Sequence, residues 1–297
     1  MAEMAHNGIF WQKGERMLDN FVLKEVGSGQ KVVGYHWPVE KPDYVVCLVH
    51  GIGEYAGRYE RVTAAMNDKN IAVVSMDLRG HGLTFGKRGH CAPRKDVLMD
   101  IDDLIAYAQE QYPGVPLILY GHSMGGNITM DYRKRGNKNS DLKGFIVSAP
   151  WVELVRKVSG PLYVTVKSLA KIIPQMTISS GVSEKDLGNA KSVGSYNDNP
   201  LIHKRISLEC AVDGFITGEL MAEGKLQDNG GAKGLPMLLM HGTDDKICSV
   251  NGSRNVAAVE ECEYVEWPGL FHEIHNGGSE STGDEVIQKM LDWIQAI

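Results

Sequence analysis

The chain has 297 residues, of which 43% are hydrophobic and 23% charged, and its formal net charge is -6. This composition is typical of a globular protein with one large domain, and it excludes a disordered chain. The acidic balance argues against nucleic acid as a partner, because nucleic acids attract basic surfaces. It also provides no attraction to anionic lipid, so any membrane contact must be hydrophobic.

The cysteines and the start of the chain indicate a compartment. The 5 cysteines are odd in number, lie far apart and form no C-x-x-C pair, which favours free thiols over a disulfide framework. Residues 1–11 contain Glu3, His6 and Asn7 and no long apolar run, so they do not predict a secretory signal. No stretch approaches the roughly 18 apolar residues that a membrane span needs. We therefore expect a cytoplasmic protein; the sequence indicates no oligomeric state.

Short apolar strands alternate with helical patterns along most of the chain. The continuous apolar run 44–49 indicates a strand buried on both faces, as in a parallel sheet covered by helices. In 94–111 and in 283–297, apolar residues recur every three or four positions, which predicts helices with one core-facing stripe. The predicted strands are 21–25, 31–37, 44–49, 71–76, 115–120, 144–148, 236–240 and 263–266. This alternation predicts an α/β fold with a mostly parallel, doubly wound sheet and an antiparallel hairpin at one edge.

One region breaks the alternation. From Trp151 to about Gly234 there is no convincing central strand, only helical patterns interrupted by glycine and proline. We therefore predict a helical cap, residues 151–234, inserted between late strands of a core formed by 1–150 and 235–297. Its apolar side chains fit three roles: lining an acyl tunnel, docking on lipid, or forming the cap's own core. They are Val158, Leu162, Val166, Leu169 and Ile173.

The segment Gly121-His122-Ser123-Met124-Gly125 has the pattern G-x-S-x-G, which by itself is only suggestive. A predicted strand directly precedes it and a helical pattern follows. This is the strand–turn–helix setting of a nucleophile elbow, in which the tight turn leaves no room for side chains beside the serine. Ser123 is therefore the predicted nucleophile. The alternative, a glycine-rich turn with a capping serine, is disfavoured by this context.

A nucleophilic serine needs a base to take its proton, and the base needs an orienting acid. In α/β-hydrolases the order along the chain is serine, acid, histidine, with the last two on loops after late strands. Asp244 and Asp245 follow one late strand, and His272 and His275 follow the next. Spacing alone does not separate the members of either pair. The two histidines fall one residue short of the zinc motif H-E-x-x-H, so no metal and no cofactor is predicted.

Acyl transfer also needs two N–H donors for the oxyanion of the tetrahedral intermediate. The backbone N–H of Met124, directly after the serine, is one predicted donor. The other is expected in the loop after strand 44–49, where His50-Gly51-Ile52-Gly53-Glu54 makes the Ile52 N–H the candidate. A phosphate loop is a poor alternative, because no further glycine completes the Gly-x-Gly.

Several blocks of the sequence together resemble the monoacylglycerol lipases, a family of α/β-hydrolase enzymes. The blocks are 50–60 (HGIGEYAGRYE), 121–126 (GHSMGG), 271–275 (FHEIH), 77–82 (DLRGHG) and 196–202 (YNDNPLI). The resemblance covers almost the whole chain, from about Gly34 to Ile297. It implies that Asp245, which precedes a basic residue, an aliphatic and a cysteine, is the acid. It also implies that His272, the first histidine of H-x-x-H, is the base.

The resemblance also implies a substrate site. Glu54, Arg58 and His275 are expected to surround a glycerol-like leaving group, with the acyl chain beneath the cap. The alternative for Glu54 and Arg58 is a structural ion pair that steadies the oxyanion loop. Ile52 stands where the family often has alanine, so we expect its bulk to narrow the site near the leaving group.

The leading hypothesis is a cofactor-independent monoacylglycerol lipase that forms an acyl-enzyme on Ser123. Its partner would be a small lipid ester, with transient membrane-surface contact through the cap and so a peripheral location. Lysophospholipase and short-chain carboxylesterase are alternatives within the class. A non-catalytic binding module on a hydrolase scaffold is an alternative outside it, disfavoured because Ser123, Asp245 and His272 are all present and in order.

Overall fold

A computed structural model describes residues 19–297 except 28 and 195. The prediction that residues 1–11 carry no signal therefore lies outside the described residues, as does the start of the predicted core. The strands of the central sheet are β1 (Asp19–Val26), β2 (Gln30–Trp37), β3 (Tyr44–Val49), β4 (Ile71–Met76), β5 (Leu117–His122), β6 (Gly144–Ser148), β9 (Met237–Gly242) and β10 (Glu263–Trp267). Two short strands, β7 (Thr177–Ser179) and β8 (Arg205–Ser207), pair with each other outside it.

Helices connect the strands and cover the sheet. They are α1 (Glu60–Asn67), α2 (Arg94–Gln111), α3 (Met124–Arg135), α4 (Gly160–Ala170), α5 (Ala190–Val193), α6 (Leu208–Ala222), α7 (Val250–Val259) and α8 (Asp284–Ala296). The predicted helix 94–111 matches α2, and the predicted 283–297 differs from α8 by one residue at each end.

The sheet has the order β1-β2-β4-β3-β5-β6-β9-β10. Within this order, neighbouring strands in the run β4-β3-β5-β6-β9-β10 pair in parallel. Strand β2 pairs antiparallel with both β1 and β4. The predicted antiparallel hairpin is therefore present at one edge. The mostly parallel α/β sheet predicted from the alternation is confirmed.

Alternate residues of each central strand enter two separate apolar cores, because successive side chains of a strand point to opposite faces. In β3, Val45 and Cys47 pack on one face together with residues of α2, α3 and α7. Val46 and Leu48 pack on the other face with residues of α1 and α8. Burial on both faces explains why the central strands are apolar throughout and show no polar alternation.

The insertion between β6 and β9 has two differently packed parts. Helix α6 lies against the main core, with Cys210, Ala211 and Met221 in the same apolar cluster as β3. The segment before it has a small cluster of its own, formed by Val182, Leu187 and Tyr196. The cap of residues 151–234 as a unit separate from the core stays a prediction.

The apolar residues that the sequence assigns to the cap do not form its core. Helix α4 has no buried residue, and Leu162, Leu169 and Ile173 are exposed. Neighbouring Val164 and Ile172 are 62% and 77% exposed. Of the three predicted roles, the structure thus disfavours a core for these side chains. No helix in the described part of the chain is long and apolar enough to cross a membrane.

Parallel pairing brings four loops to one edge of the sheet. The carboxyl ends of β3, β5, β9 and β10 lie at this edge, and each is followed by a segment that carries a predicted site residue. At the end of β5 the chain turns directly into α3, and an ideal Cβ on Gly125 would lie 2.1 Å from the Val49 carbonyl oxygen. Only glycine therefore allows α3 to approach the end of β3 so closely.

We expect Gly125→Ala to lower the free energy of unfolding by about 1–3 kcal/mol, the usual cost of overpacking. The new methyl group would meet backbone oxygens that cannot move independently of the sheet. Thermal unfolding followed by circular dichroism measures the loss. Gly160→Ala is the matched control, since no heavy atom lies within 4 Å of its ideal Cβ and its melting temperature should not fall. Equal melting temperatures for Gly125→Ala and the wild type would contradict this packing.

Candidate active site

Ser123 occupies a strained turn between β5 and α3. Its backbone has φ 56° and ψ -118°, a conformation that costs a non-glycine residue roughly 1–3 kcal/mol. Three hydrogen bonds of 3.0 Å hold it there: the Ser123 N–H donates to the Ser148 carbonyl, and the Ser123 carbonyl accepts the N–H groups of Asn127 and Trp151. This is the geometry of the predicted nucleophile elbow.

The structure brings Ser123 together with one member of each ambiguous pair. The Ser123 Oγ lies 2.8 Å from His272 Nε2, and His272 Nδ1 lies 2.7 Å from Asp245 Oδ2. All three side chains are buried. Asp244 instead is exposed, and its carboxylate accepts a hydrogen bond from the Thr243 hydroxyl. The geometry therefore separates the two aspartates, and likewise the two histidines, as the family resemblance implies.

Asp245 is held by donors on every side. Its Oδ1 accepts the backbone N–H groups of Ile247 at 2.8 Å and Cys248 at 2.9 Å. Its Oδ2 faces His272 and also His241, whose Nε2 lies 3.1 Å away. His241 is fully buried, and its Nδ1 contacts the Ser253 hydroxyl at 2.7 Å. This arrangement suits an ionised carboxylate, which can only accept hydrogen bonds.

Asp245 and His272 shift each other's protonation equilibria. Burial alone would raise the pKa of the Asp245 carboxyl, but His272 and the hydrogen bonds hold it well below its usual range. Burial likewise lowers the pKa of His272, and the Asp245 charge more than offsets this, so the pKa of His272 is raised. A negative Asp245 thus makes His272 a better proton acceptor.

The predicted oxyanion donors occupy two of the loops at this edge. Within the described residues, neither the Ile52 N–H nor the Met124 N–H donates a hydrogen bond to another group. Gly51 places the first loop against the nucleophile, since an ideal Cβ there would lie 3.2 Å from the Ser123 Cβ. The Ile52 side chain packs against both the main apolar cluster and the small cluster of the insertion; a narrowing of the site by its bulk stays a prediction.

Glu54 and Arg58 form part of a buried ion cluster with Glu273. One Arg58 nitrogen, Nη1, lies 2.5 Å from Glu54 Oε2 and 2.5 Å from Glu273 Oε1, and Nη2 lies 3.0 Å from Glu273 Oε2. The second Glu54 oxygen accepts the Gly51 N–H at 2.6 Å and the Tyr59 hydroxyl at 2.8 Å. These contacts match the structural ion pair considered from the sequence. Contact of Glu54 and Arg58 with a leaving group stays a prediction.

His275 lies one ring away from the base. Its ring stacks on Tyr59 and meets the edge of His122, which in turn contacts the His272 ring with centroids 4.9 Å apart. Among the described residues, its buried Nδ1 has no hydrogen-bond partner. Burial lowers the pKa of His275 to about 4, so the ring is neutral at neutral pH.

Three residues near this constellation are not marked as site residues by the sequence. Glu273 lies next to His272, but its partner Arg58 is 215 residues away along the chain. His241 precedes the acid loop, where the sequence indicates only the end of a strand. The Cys248 thiol is buried, and burial together with the Asp245 charge raises its pKa well above the usual range. The motif match around Asp245 includes Cys248 and is the one signal for it.

Metal ligation has no candidate here. No group of three or more histidine, cysteine, aspartate or glutamate side chains in the described residues is arranged to hold a metal ion.

The sheet order, the serine in a strained strand–helix turn and the Ser–His–Asp contacts define a protein of the α/β-hydrolase class. Comparison with protein families agrees: residues 40–278 match the model of Hydrolase_4, described as serine aminopeptidase, S33. The chain therefore belongs to this family.

Individual relatives cover most of the chain. It is 29% identical to the monoacylglycerol lipase of Mycolicibacterium smegmatis, over 90% of this chain and 94% of the relative. The solved structure of Paleococcus ferrophilus monoacylglycerol lipase superposes with a TM-score of 0.76 at 29% identity, covering 89% of this chain and 98% of that one. An uncharacterised abhydrolase domain-containing protein of Dictyostelium discoideum is 31% identical over 87% of this chain, which spans only 27% of that protein.

These likenesses confirm three predictions made from the sequence. They are the α/β-hydrolase fold, the resemblance to the monoacylglycerol lipases and, at the level of enzyme class, a serine hydrolase that cleaves carboxylic esters. The particular site residues are supported by the distances and burial of Ser123, His272 and Asp245.

We expect Asp245→Asn to lower kcat on a p-nitrophenyl ester by about 10⁴-fold. The oxygen of the new amide would still accept the Ile247 and Cys248 N–H groups, so the amide NH₂ would face the donors of His272 and His241. His272 would then carry its proton on Nε2, where it cannot accept one from Ser123. Asp244→Asn is the matched control and should stay within a few-fold of the wild type. Similar losses in both variants would contradict the assignment of Asp245.

Proposed function

We propose that the chain is a monoacylglycerol lipase in which Ser123 is the nucleophile, His272 the general base and Asp245 the orienting acid. The observation that carries this proposal is the pair of hydrogen bonds, 2.8 and 2.7 Å long, that join the three side chains. The substrate class is supported by two relatives named monoacylglycerol lipases, each covered over more than nine-tenths of its length.

In the first half of the reaction, the Ser123 Oγ attacks the ester carbonyl while His272 Nε2 takes the hydroxyl proton. The carbonyl oxygen becomes an oxyanion, and the N–H groups of Ile52 and Met124 donate to it. As the intermediate collapses, the bond to the leaving alcohol breaks and His272 returns its proton to that alcohol. The acyl group is left on Ser123.

In the second half, water takes the place of the alcohol. His272 accepts a proton from the water as its oxygen attacks the acyl carbonyl, and then delivers this proton to Ser123 as the acid departs. Throughout, Asp245 keeps the proton of the resting imidazole on Nδ1 and stabilises the imidazolium that forms. In both halves His272 accepts and delivers the protons, and the proposed steps use no cofactor.

The leaving alcohol is assigned to the side of the site that holds His275. A neutral imidazole can exchange a hydrogen bond with a glycerol hydroxyl, and its ring is one ring removed from His272. The acyl chain is assigned to the space beneath the insertion. Lysophospholipase and short-chain esterase are the competing functions, and both are distinguished by substrate preference.

The exposed apolar face of the insertion supports a transient contact with lipid surfaces. Leu162 and Val164 on α4 and the following Ile172 are more than half exposed. Burying such side chains at an interface contributes about 25 cal/mol per Å² of apolar area, and the acidic chain needs no electrostatic attraction for it. A cytoplasmic, peripheral location is part of this proposal and is supported by five cysteines that are all free.

We expect Ser123→Ala to lower kcat by several orders of magnitude on every ester of a panel of monoacylglycerols, lysophospholipids and p-nitrophenyl esters of graded length. The wild type should have its highest kcat/KM on a monoacylglycerol, and a fluorophosphonate probe should label it but not the variant. If the wild type instead preferred a lysophospholipid or a short-chain ester, the proposed substrate class would be wrong, and the proposed catalytic residues would stand. Near-normal hydrolysis by Ser123→Ala, or a wild type that neither hydrolyses nor labels, would contradict the proposal.

We expect His275→Ala to lower kcat/KM on a monoacylglycerol by at most about tenfold, because a hydrogen bond to a neutral hydroxyl is worth about 0.5–1.5 kcal/mol. The loss should be much smaller on a p-nitrophenyl ester, whose leaving group has no hydroxyl to bind. Removing the His275 ring leaves the same gap above Tyr59 whichever substrate is used. The ratio of the two losses therefore reports the contact of His275 with the glycerol hydroxyl. Equal losses on both would make His275 a structural residue.

A further inference from the structure

A buried cluster of one arginine and two glutamates lies near the catalytic side chains and takes no part in the steps described above. It contains Glu54, Arg58 and Glu273, whose side chains are 5%, 8% and 3% exposed. Burying charges costs several kcal/mol per ion unless they are well paired. Here the Arg58 guanidinium forms hydrogen bonds with both carboxylates, so each side chain of the cluster has a partner.

The cluster connects two loops that carry different parts of the machinery. Glu54 accepts the backbone N–H of Gly51, the residue before the oxyanion donor Ile52. Glu273 directly follows His272 along the chain. Arg58 bonds Glu54 once and Glu273 in the two-pronged manner that a planar guanidinium favours. One arginine therefore links the loop of the base to the oxyanion loop.

Neighbouring groups hold the Glu273 side in place. The Glu273 N–H donates to the Leu187 carbonyl at 2.6 Å, and the Asn276 amide donates to Glu273 Oε2 at 2.7 Å. The Arg58 guanidinium lies over the Tyr196 ring, 4.8 Å from its centroid. Leu187 and Tyr196 belong to the apolar cluster of the insertion, so the insertion contacts both Arg58 and Glu273.

We propose that Glu273 and Arg58 are positioning residues: their two-pronged ion pair fixes the His272 loop to the oxyanion loop, and the Glu273 carboxylate adds a second negative charge near the base. This rests on the proposed function, because it assigns His272 as the base. It adds to that function a pair of residues that act through His272 and not on the substrate.

The charge of Glu273 acts on His272 together with every other group around it. Burial lowers the pKa of His272, Asp245 raises it most, and Glu273 and Glu54 raise it further. Arg58 opposes burial and keeps the pKa of Glu273 well below its usual range, so Glu273 stays ionised wherever His272 titrates. The other titratable groups facing the base are His122, His275, Cys248 and, through Glu54 and Glu273, Arg58.

The first test is Glu273→Gln, which keeps the size of the side chain and removes its charge. The kcat/KM of a general-base enzyme rises with pH as the base loses its proton. With one negative charge fewer, the pKa of His272 should fall, and the midpoint of this rise should move to lower pH by about 0.5–1 unit. The plateau kcat should fall by a similar factor on a monoacylglycerol and on a p-nitrophenyl ester.

The second test is Arg58→Lys, which keeps every charge but replaces the guanidinium fork with a single ammonium. The midpoint of the pH profile should then stay within about 0.2 unit, whereas kcat should fall about ten- to hundredfold through lost positioning. Glu273→Asp should likewise keep the midpoint with a lowered kcat. These two variants test the geometry even if Glu273→Gln does not fold.

Glu260→Gln is the matched control. Glu260 follows α7, and its side chain is only 16% exposed. Its carboxylate forms ion pairs with Arg133 Nη1 at 3.1 Å and with Lys134 Nζ at 2.9 Å. Losing this charge should change neither kcat nor the midpoint. A general effect of removing a partly buried carboxylate would appear here too.

Three results would overturn the inference: an unmoved midpoint in Glu273→Gln, a wild-type kcat in Arg58→Lys, or losses confined to KM on the glycerol ester. The last would make both residues substrate contacts. Ser123→Ala is run alongside. If that variant stays active, the proposed function itself fails; if it is inactive while Glu273→Gln matches the wild type, only the present inference fails.

Discussion

The site depends on a backbone turn that the chain could not keep in isolation. Ser123 has a positive φ, which a serine adopts only when its surroundings enforce it. Here the enforcement is steric: α3 starts directly after the serine and packs so closely on the end of β3 that a Cβ at Gly125 would overlap the Val49 carbonyl. The sheet, the helix and the turn therefore determine one another.

Much of this arrangement could be predicted from the sequence, because it follows from local patterns. Buried parallel strands are apolar throughout, so the predicted strand ends agree with the structure to within about two residues in most cases. The elbow combines a strand, a tight glycine turn and a helix within one short segment. The chain order of acid and histidine follows from topology, since both lie after late strands at the same sheet edge.

Other features required the folded chain. Spacing could not separate Asp244 from Asp245, because both fall within the range that the motif allows. Which of the two side chains points into the site depends on the conformation of the loop. The structure separates them by burial and by the donors that face Asp245. Arg58 and Glu273 are 215 residues apart, so neither residue type nor period predicts their contact. The lack of buried residues in α4 was equally hidden, because an apolar helix in water and one in a core have the same pattern.

Buried charge is common to the first two of these features, the choice of Asp245 and the contact of Arg58 with Glu273, and it relates the insertion to the active site. The insertion forms several backbone hydrogen bonds with the site loops: the His272 N–H donates to the Asp186 carbonyl, the Asn189 N–H to the Asn276 carbonyl and the His203 N–H to the Gly53 carbonyl. These bonds close over charged side chains and exclude water from them. Exclusion of water strengthens the attraction between Asp245 and His272, and it also makes an unpaired Glu54 or Glu273 costly. An insertion that lifted from the loops would hydrate both groups of charges at once. The insertion, the loop of His272 and the oxyanion loop therefore meet at Arg58 and Glu273.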